Sequence, residues 1–350
     1  MSRTHAREVV ARAGAPAGAG GRGVAVLVPC YNEEPTVARV VGRFREELPE
    51  ARVYVFDNNS TDRTAEEARR AGAAVFTERR QGKGYVVQSM FRMVDADFYV
   101  MVDGDGTYPA EAVHALLAPV AAGEADMSVG SRLHAESQSQ FKRRNRLANR
   151  LVRSTLNFIF RVELTDILSG YRVFNREFVK GLPLFGGGFE IETELTIKAV
   201  ERGYRLVEVP VDLTHRPEGS HSKIQFLRDG FLILNTTLAL FRDYKPLTFF
   251  GGLGLFLLLL ACAAGAAGLF GLGGAVPGAF VIAAAAGLFV CGLLSLTAGL
   301  ILHSIARRSQ EFEYHIRVLA DELRSGRAPA DEERHGGGGA GPFGGGAAGR

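Results

Sequence analysis

At 350 residues and 47% hydrophobic content, the chain can build one sizeable soluble core and still hold membrane segments. A formal net charge of +3 argues against a strongly basic nucleic-acid binder and leaves local basic clusters as the informative feature. Of the three cysteines, Cys262 and Cys291 fall inside apolar runs and Cys30 at an expected strand end, which excludes a disulfide framework or metal-knuckle spacing and favours a reducing, cytoplasmic setting.

In chain order, Met1 to Arg22 is rich in Ala, Gly and Arg without a continuous apolar core, and reads as a disordered leader (1–22), not a signal peptide. From Val24, short apolar runs alternate with helical patterns. Val24 to Pro29, Arg52 to Asp57, Ala74 to Thr77, Phe98 to Asp103 and Met127 to Gly130 are expected strands; Thr36 to Leu48, Asp62 to Ala71, Lys83 to Val94 and Ala110 to Ala121 are expected helices. Such alternation predicts an α/β domain over 23–246, a mostly parallel sheet with helices on both faces. Ligands of open sheets bind beyond the carboxyl ends of strands. Three polar clusters fall there: Tyr31-Asn32-Glu33-Glu34, Asp57-Asn58-Asn59-Ser60, and Asp103-Gly104-Asp105.

Between Phe141 and Arg161, Lys142, Arg143, Arg144, Arg146, Arg150 and Arg153 are interleaved with Leu147, Leu151, Leu156 and Phe158. This is the pattern of an amphipathic helix on an anionic bilayer surface; a solvated helix face is the competing reading. Two uncharged runs follow, 247–270 and 279–304, each long enough for a hydrocarbon core of ~30 Å, which needs about 20 apolar residues. Arg242 and Lys245 precede the first and Arg307 and Arg308 follow the second. The positive-inside rule therefore places the catalytic domain and both termini in the cytoplasm, as a multi-pass protein of the cell membrane. Phe312, Ile316, Leu319 and Leu323 recur at helical spacing among charges, an amphipathic helix over 305–325 with room for self-association into a homo-oligomer. The Gly-rich end, 326–350, reads as a disordered tail.

The chemistry concentrates at Asp103 and Asp105. Two carboxylates around a glycine at a strand end suit Mg²⁺, which commonly binds through one or two carboxylates plus substrate phosphate oxygens.

From about Val24 to Lys223 the chain resembles the family 2 glycosyltransferases, and within them the polyprenyl-phosphate (dolichyl-phosphate and bactoprenol) glycosyltransferases. The likeness is carried by Pro29-Cys30-Tyr31-Asn32-Glu33-Glu34, Asp57-Asn58-Asn59-Ser60-Thr61-Asp62, Gly82-Lys83-Gly84, Asp103-Gly104-Asp105, Gly130-Ser131-Arg132, Ser169-Gly170-Tyr171-Arg172 and Gly219-Ser220-His221-Ser222-Lys223. The resemblance implies a GT-A fold followed by two transmembrane helices, and a metal-dependent, inverting transfer of a hexose or N-acetylhexosamine from a nucleotide sugar to a polyprenyl phosphate. It implies that Pro29, Tyr31, Glu33 and Asp57 line the nucleotide pocket, that Asp103 and Asp105 hold Mg²⁺ or Mn²⁺ on the diphosphate, and that Lys83 lies beside phosphate. Glu33 as a helix N-terminal acid and Asp103 with Asp105 as turn caps are the structural alternatives. Arg132, with one of Arg143, Arg144 or Arg146, resembles the residues that hold the lipid phosphate, and Arg216, Ser222 and Lys223 resemble a segment closing on the leaving diphosphate. Asp166 is the candidate carboxylate near the anomeric centre or orienting an arginine; a structural partner of Arg172 is the alternative.

Two departures bear on the donor sugar: Asn58 stands where many relatives have an acidic residue, and Gly104 where many have alanine. A processive polysaccharide synthase would carry a Gln-x-x-Arg-Trp motif, and the chain has no Trp. A membrane-tethered scaffold that binds a nucleotide sugar without turnover, and a transferase using another lipid acceptor, are the remaining readings.

Overall fold

The computed structural model describes residues 23–132, 154, 157, 158, 160, 163–188, 190–214, 226–270 and 277–325. The chain separates into two compact units, 1–241 and 242–350. In the first, β1 (Val24–Cys30), α1 (Val37–Glu47), β2 (Arg52–Asp57), α2 (Thr64–Arg70), β3 (Ala74–Thr77), α3 (Lys83–Met93), β4 (Phe98–Met101), α4 (Val113–Ala121) and β5 (Met127–Ser131) follow one another. Then come β6 (Arg172–Asn175), α5 (Arg176–Gly181), α6 (Ile191–Glu201), β7 (Leu206–Pro210) and α7 (Phe226–Tyr244).

The seven strands form one sheet in the order β3-β2-β1-β4-β6-β5-β7. Only β6 runs antiparallel, paired to β4 on one side and β5 on the other. The remaining pairings are parallel. Because side chains alternate along a strand, Val24, Val26 and Val28 face one side of the sheet and Ala25 and Leu27 the other. On the first side α1, α2 and α4 contribute Val37, Val41, Phe44, Ala68, Val113 and Leu117 to one core. On the opposite side α3, α5 and α6 contribute Val87, Met90, Phe178, Ile191 and Leu195 to another. Burial on both faces is why these strands read as near-continuous apolar runs.

Two boundaries differ from expectation. β4 stops at Met101, although the Val102 amide still donates to Leu27 O at 3.1 Å; Asp103 lies past the ladder, in the turn. The expected Ala110–Ala121 helix opens with a single 3₁₀ turn, Ala110–Ala112, after Pro109.

In the second unit α8 (Pro246–Leu269) and α9 (Gly278–Ser325) pack along each other. Glycines permit the close approach: a Cβ on Gly254 would lie 2.8 Å from Gly292 O, and one on Gly292 would lie 3.0 Å from Gly254 O. Ser295 Oγ donates to Phe250 O at 2.8 Å. α8 and the Gly278–Ser309 part of α9 are long and apolar enough to cross a membrane. Their large side chains, Leu255, Phe256, Leu259, Phe280 and Leu294 among them, are exposed, unlike those of a soluble core helix. One helix, α9, runs through both the 279–304 run and the 305–325 stretch.

Candidate active site

Among the described residues, the polar clusters of the expected site lie at one end of the sheet, beyond the carboxyl ends of β1, β2, β4 and β5 and before the amino end of β6. The loop after β1 is stitched to the loop after β2. Asn32, at φ 53°, donates its amide to Ser60 Oγ at 2.9 Å, and its Oδ1 accepts from Thr61 N at 2.7 Å. The Glu33 amide donates to Thr64 Oγ1 at 2.8 Å, and Glu34 takes Arg63 Nε at 2.9 Å and Nη2 at 2.6 Å. Pro29 closes the run of β1 into this loop, Tyr31 is partly exposed, and Glu33 and Asp57 are buried. Glu33 lies four residues before α1, and its carbonyl accepts from Thr36 N at 3.0 Å and Val37 N at 2.9 Å, in the turn that leads into the helix. Thr36 Oγ1 donates to Gly104 O at 2.7 Å and thereby ties the first cluster to the third.

Asn58 explains its own departure from an acidic residue. Its Nδ2 donates to Glu78 O at 3.0 Å and Arg80 O at 2.7 Å, while its Oδ1 accepts from Gly82 N at 2.7 Å. A carboxylate could serve only the last contact. This amide therefore shapes the 78–82 loop that presents Lys83. In the same loop Arg80 bonds the Glu78 carboxylate; against burial, that contact and the Ser89 hydroxyl hold Glu78 down to about 2.

Lys83 Nζ lies 2.5 Å from Asp103 Oδ1 and 2.5 Å from Glu192 Oε1. Burial works to lower its pKa, and the two carboxylates outweigh burial, so the ammonium stays charged far above neutral pH. Asp105 Oδ1 accepts from Thr107 N at 3.0 Å and Thr107 Oγ1 at 2.7 Å. Gly170, ahead of β6, faces the Asp103 carboxylate with no room for a Cβ.

Arg132, just past β5, and Asp166 form a bidentate pair: Nε to Oδ2 at 2.6 Å and Nη2 to Oδ1 at 2.9 Å, with the Arg132 amide adding a third bond at 3.0 Å. Asp166 is buried; burial alone would raise its pKa, but the Arg132 charge and hydrogen bonds hold it below the usual carboxylate range. Glu208 on β7 in turn accepts from the Thr165 and Asp166 amides at 2.9 and 2.8 Å. The hydrogen-bond partner of Asp166 is thus Arg132 and not Arg172. Arg172 is fully buried and binds Ser169 O at 2.9 Å, Ile167 O at 2.6 Å, Thr196 Oγ1 at 2.9 Å and Glu192 O at 3.1 Å, locking the 166–171 loop to α6. Tyr108 accepts from Gly170 N at 3.0 Å, and burial pushes its pKa up.

Arg143, Arg144, Arg146, Arg216, Ser222 and Lys223, the leader 1–22 and the tail 326–350 lie outside the described residues. Glu192 escaped the sequence reading. Its signal was there: the acidic run Glu190-Ile191-Glu192-Thr193-Glu194 after three glycines, opening a helix that is otherwise buried.

Among the described residues no group of three or more His, Cys, Asp or Glu could hold a metal. Asp103 and Asp105 nevertheless fit a hard divalent cation shared with a diphosphate, since such an ion takes one or two carboxylates and completes its sphere with phosphate oxygens and water. The missing Cβ at Gly170 leaves the Asp103 carboxylate the space it occupies.

The fold is that of GT-A enzymes. A crystal structure of Mycobacterium tuberculosis glucosyl-3-phosphoglycerate synthase with Mn²⁺, UDP and glucosyl-3-phosphoglycerate is similar at TM-score 0.53 and 23% identity, covering 69% of this chain and 84% of that one. Glycosyltransferase AglJ of Haloferax volcanii is 38% identical over 235 residues, 66% of this chain and 76% of that protein. Polyprenol monophosphomannose synthase of Mycolicibacterium smegmatis is 28% identical over 208 residues, 55% of this chain and 78% of that protein. The model of the family described as glycosyl transferase family 2 matches residues 25–182, and with these likenesses the chain belongs to that family.

Proposed function

We propose that the protein transfers a hexose or N-acetylhexosamine, with inversion, from a nucleotide sugar to a polyprenyl phosphate at the cytoplasmic face of the membrane. The observation that carries this reading is the meeting of two opposite devices at one end of one sheet: the carboxylates Asp103 and Asp105 after β4, and the carboxylate-held guanidinium of Arg132 after β5. The polyprenol in the name of the mycobacterial relative, and two helices able to cross a membrane, support a lipid acceptor.

A phosphate monoester loses its second proton near pH ~6, so the acceptor is already a nucleophile at neutral pH and needs little base catalysis. The work left to the protein is to bring two anions together. Arg132, aimed by Asp166, presents a planar fork that matches a phosphate. Glu33 and Asp57, buried at the ends of β1 and β2, offer acceptors to base and ribose. Mg²⁺ or Mn²⁺ on Asp103 and Asp105 would neutralise charge on the departing diphosphate. Arg143 or Arg146 would add to the phosphate grip, and Arg216, Ser222 and Lys223 would close over the diphosphate. The domain covers 23–246, the two spans anchor it, and the positive flanks Arg242, Lys245, Arg307 and Arg308 keep it on the cytoplasmic side.

The test is transfer by the purified protein from a panel of labelled nucleotide sugars to undecaprenyl or dolichyl phosphate with Mg²⁺, scoring label in the organic phase. Label from one donor is the expected result and names the sugar. Donor binding by folded protein without transfer to either lipid would overturn the acceptor.

A further inference from the structure

Among the described residues, Lys83 is a buried cation shared by a carboxylate of the proposed metal pair and a carboxylate that no part of the transfer reading uses. Its ammonium contacts Asp103 and Glu192 at equal distance, and its side chain is almost fully enclosed. Glu192 is itself buried, and its backbone carbonyl is held by Arg172, so the carboxylate that anchors Lys83 projects from a fixed helix start. The loop that delivers Lys83 is equally fixed, by Asn58 and by the Gly84 amide donating to Gly187 O at 3.1 Å. Lys83 is thereby aimed at Asp103 from both sides.

We propose that Lys83, positioned by Glu192, is the resident counter-ion of Asp103 and makes divalent-cation binding conditional on the donor diphosphate. This rests on the reading of Asp103 as a metal ligand. A divalent ion approaching Asp103 meets a positive charge at hydrogen-bond distance from the same carboxylate, and because Lys83 and Glu192 are nearly enclosed while Asp103 is 28% exposed, water screens that repulsion only in part. A diphosphate changes that balance. It gives the ammonium a new anionic partner within reach of its flexible four-carbon stem, and releases Asp103 to the metal. Metal and diphosphate then bind cooperatively, and by linkage each raises the affinity of the other by the same factor. Glu192 is a positioning residue here, since it acts through Lys83.

The experiment titrates the full-length protein in detergent with Mn²⁺, reading free Mn²⁺ by electron paramagnetic resonance, without nucleotide and with saturating UDP or GDP. In Lys83→Met the nucleotide-free affinity should tighten by about tenfold, and the enhancement by nucleotide should shrink by the same factor, within the usual range of coupling between sites. Should Lys83→Met not fold, Glu192→Gln is compared with Lys83→Met/Glu192→Gln, and the same gain is expected. Nucleotide-free affinities that agree within about twofold in every folded comparison would overturn the proposal. Mn²⁺ binding in the presence of nucleotide that is identical in wild type and Asp103→Asn would overturn the metal reading itself, a result separable from the first.

Discussion

Gly170 faces the Asp103 carboxylate across a gap with no room for a methyl group. The contact joins the loop before β6 to the turn after β4, and it makes a side-chain-free position part of the carboxylate's setting. Gly170→Ala should cost about 1–3 kcal/mol from overpacking, and should weaken Mn²⁺ binding in the presence of UDP or GDP because the carboxylate must move. Gly42→Ala is the control: it lies in α1 with open space around it, and should raise stability by about 0.5–1 kcal/mol. Thermal melting and metal titration of both variants check the pair.

Asp166 should be worth more to the fold than to the donor. Removing one partner of a buried, bidentate pair leaves an uncompensated charge, so Asp166→Asn should cost about 3 kcal/mol or more. Transfer to polyprenyl phosphate should fall further than nucleotide affinity, as measured by a kcat and KM comparison. Equal losses would place Arg132 outside the acceptor site.

The pH dependence follows from the same pair. The Asp166 carboxyl is held below its ordinary value in the folded state, so its contribution is full above that ordinary value, about 3.9, and is lost as pH falls through the lower folded one. Glu78, held down to about 2, behaves likewise between the ordinary glutamate range and pH 2. Melting temperatures of Glu78→Gln and Asp166→Asn should therefore decline less steeply with acid than those of the wild type. Parallel slopes would show that neither carboxyl titrates with folding.

Asn58→Asp introduces the acidic residue that the family resemblance leads one to expect at this position, and should nevertheless harm this chain. Glu78 O and Arg80 O would lose their donor and face a carboxylate, at a cost on the order of 2 kcal/mol. The Lys83 loop should loosen, which hydrogen exchange at Gly82 and Gly84 would register as faster exchange.

In the hairpin, Gly292→Leu should splay α8 from α9, because the new side chain would strike Leu258 and Gly254. Loss of stability in detergent by at least about 1–3 kcal/mol is expected, with nucleotide binding unchanged.

The parallel half of the sheet was legible because its strands are buried on both faces and its helices carry clear apolar periodicity. β1 to β5 and α1 to α3 fall within about two residues of the expected spans, and α4 starts three residues late, after the 3₁₀ turn at Ala110–Ala112. The half after Arg132 was not. β6 is four residues long and carries a buried arginine at its start, and α6 buries Glu192, Glu194, Thr196 and Lys198 among its apolar residues, so neither shows the expected alternation. Glu194 and Lys198 pair at 2.6 Å, which makes burial of both tolerable and hides the helix from a hydrophobicity reading. The same blindness covers Glu192: a charged residue in a buried helix is identified by its partner, and Lys83 lies far away in sequence.

The pairing of Arg132 with Asp166 has a consequence for residues 133–165. Arg132 closes one end of that excursion and Asp166 the other, and three hydrogen bonds clip the two ends together at the rim of the sheet. Doubling the number of residues between the two would add only about 0.6 kcal/mol of closure entropy. A change in the number of residues between Arg132 and Asp166 is therefore expected to cost the fold little as long as this clip is kept.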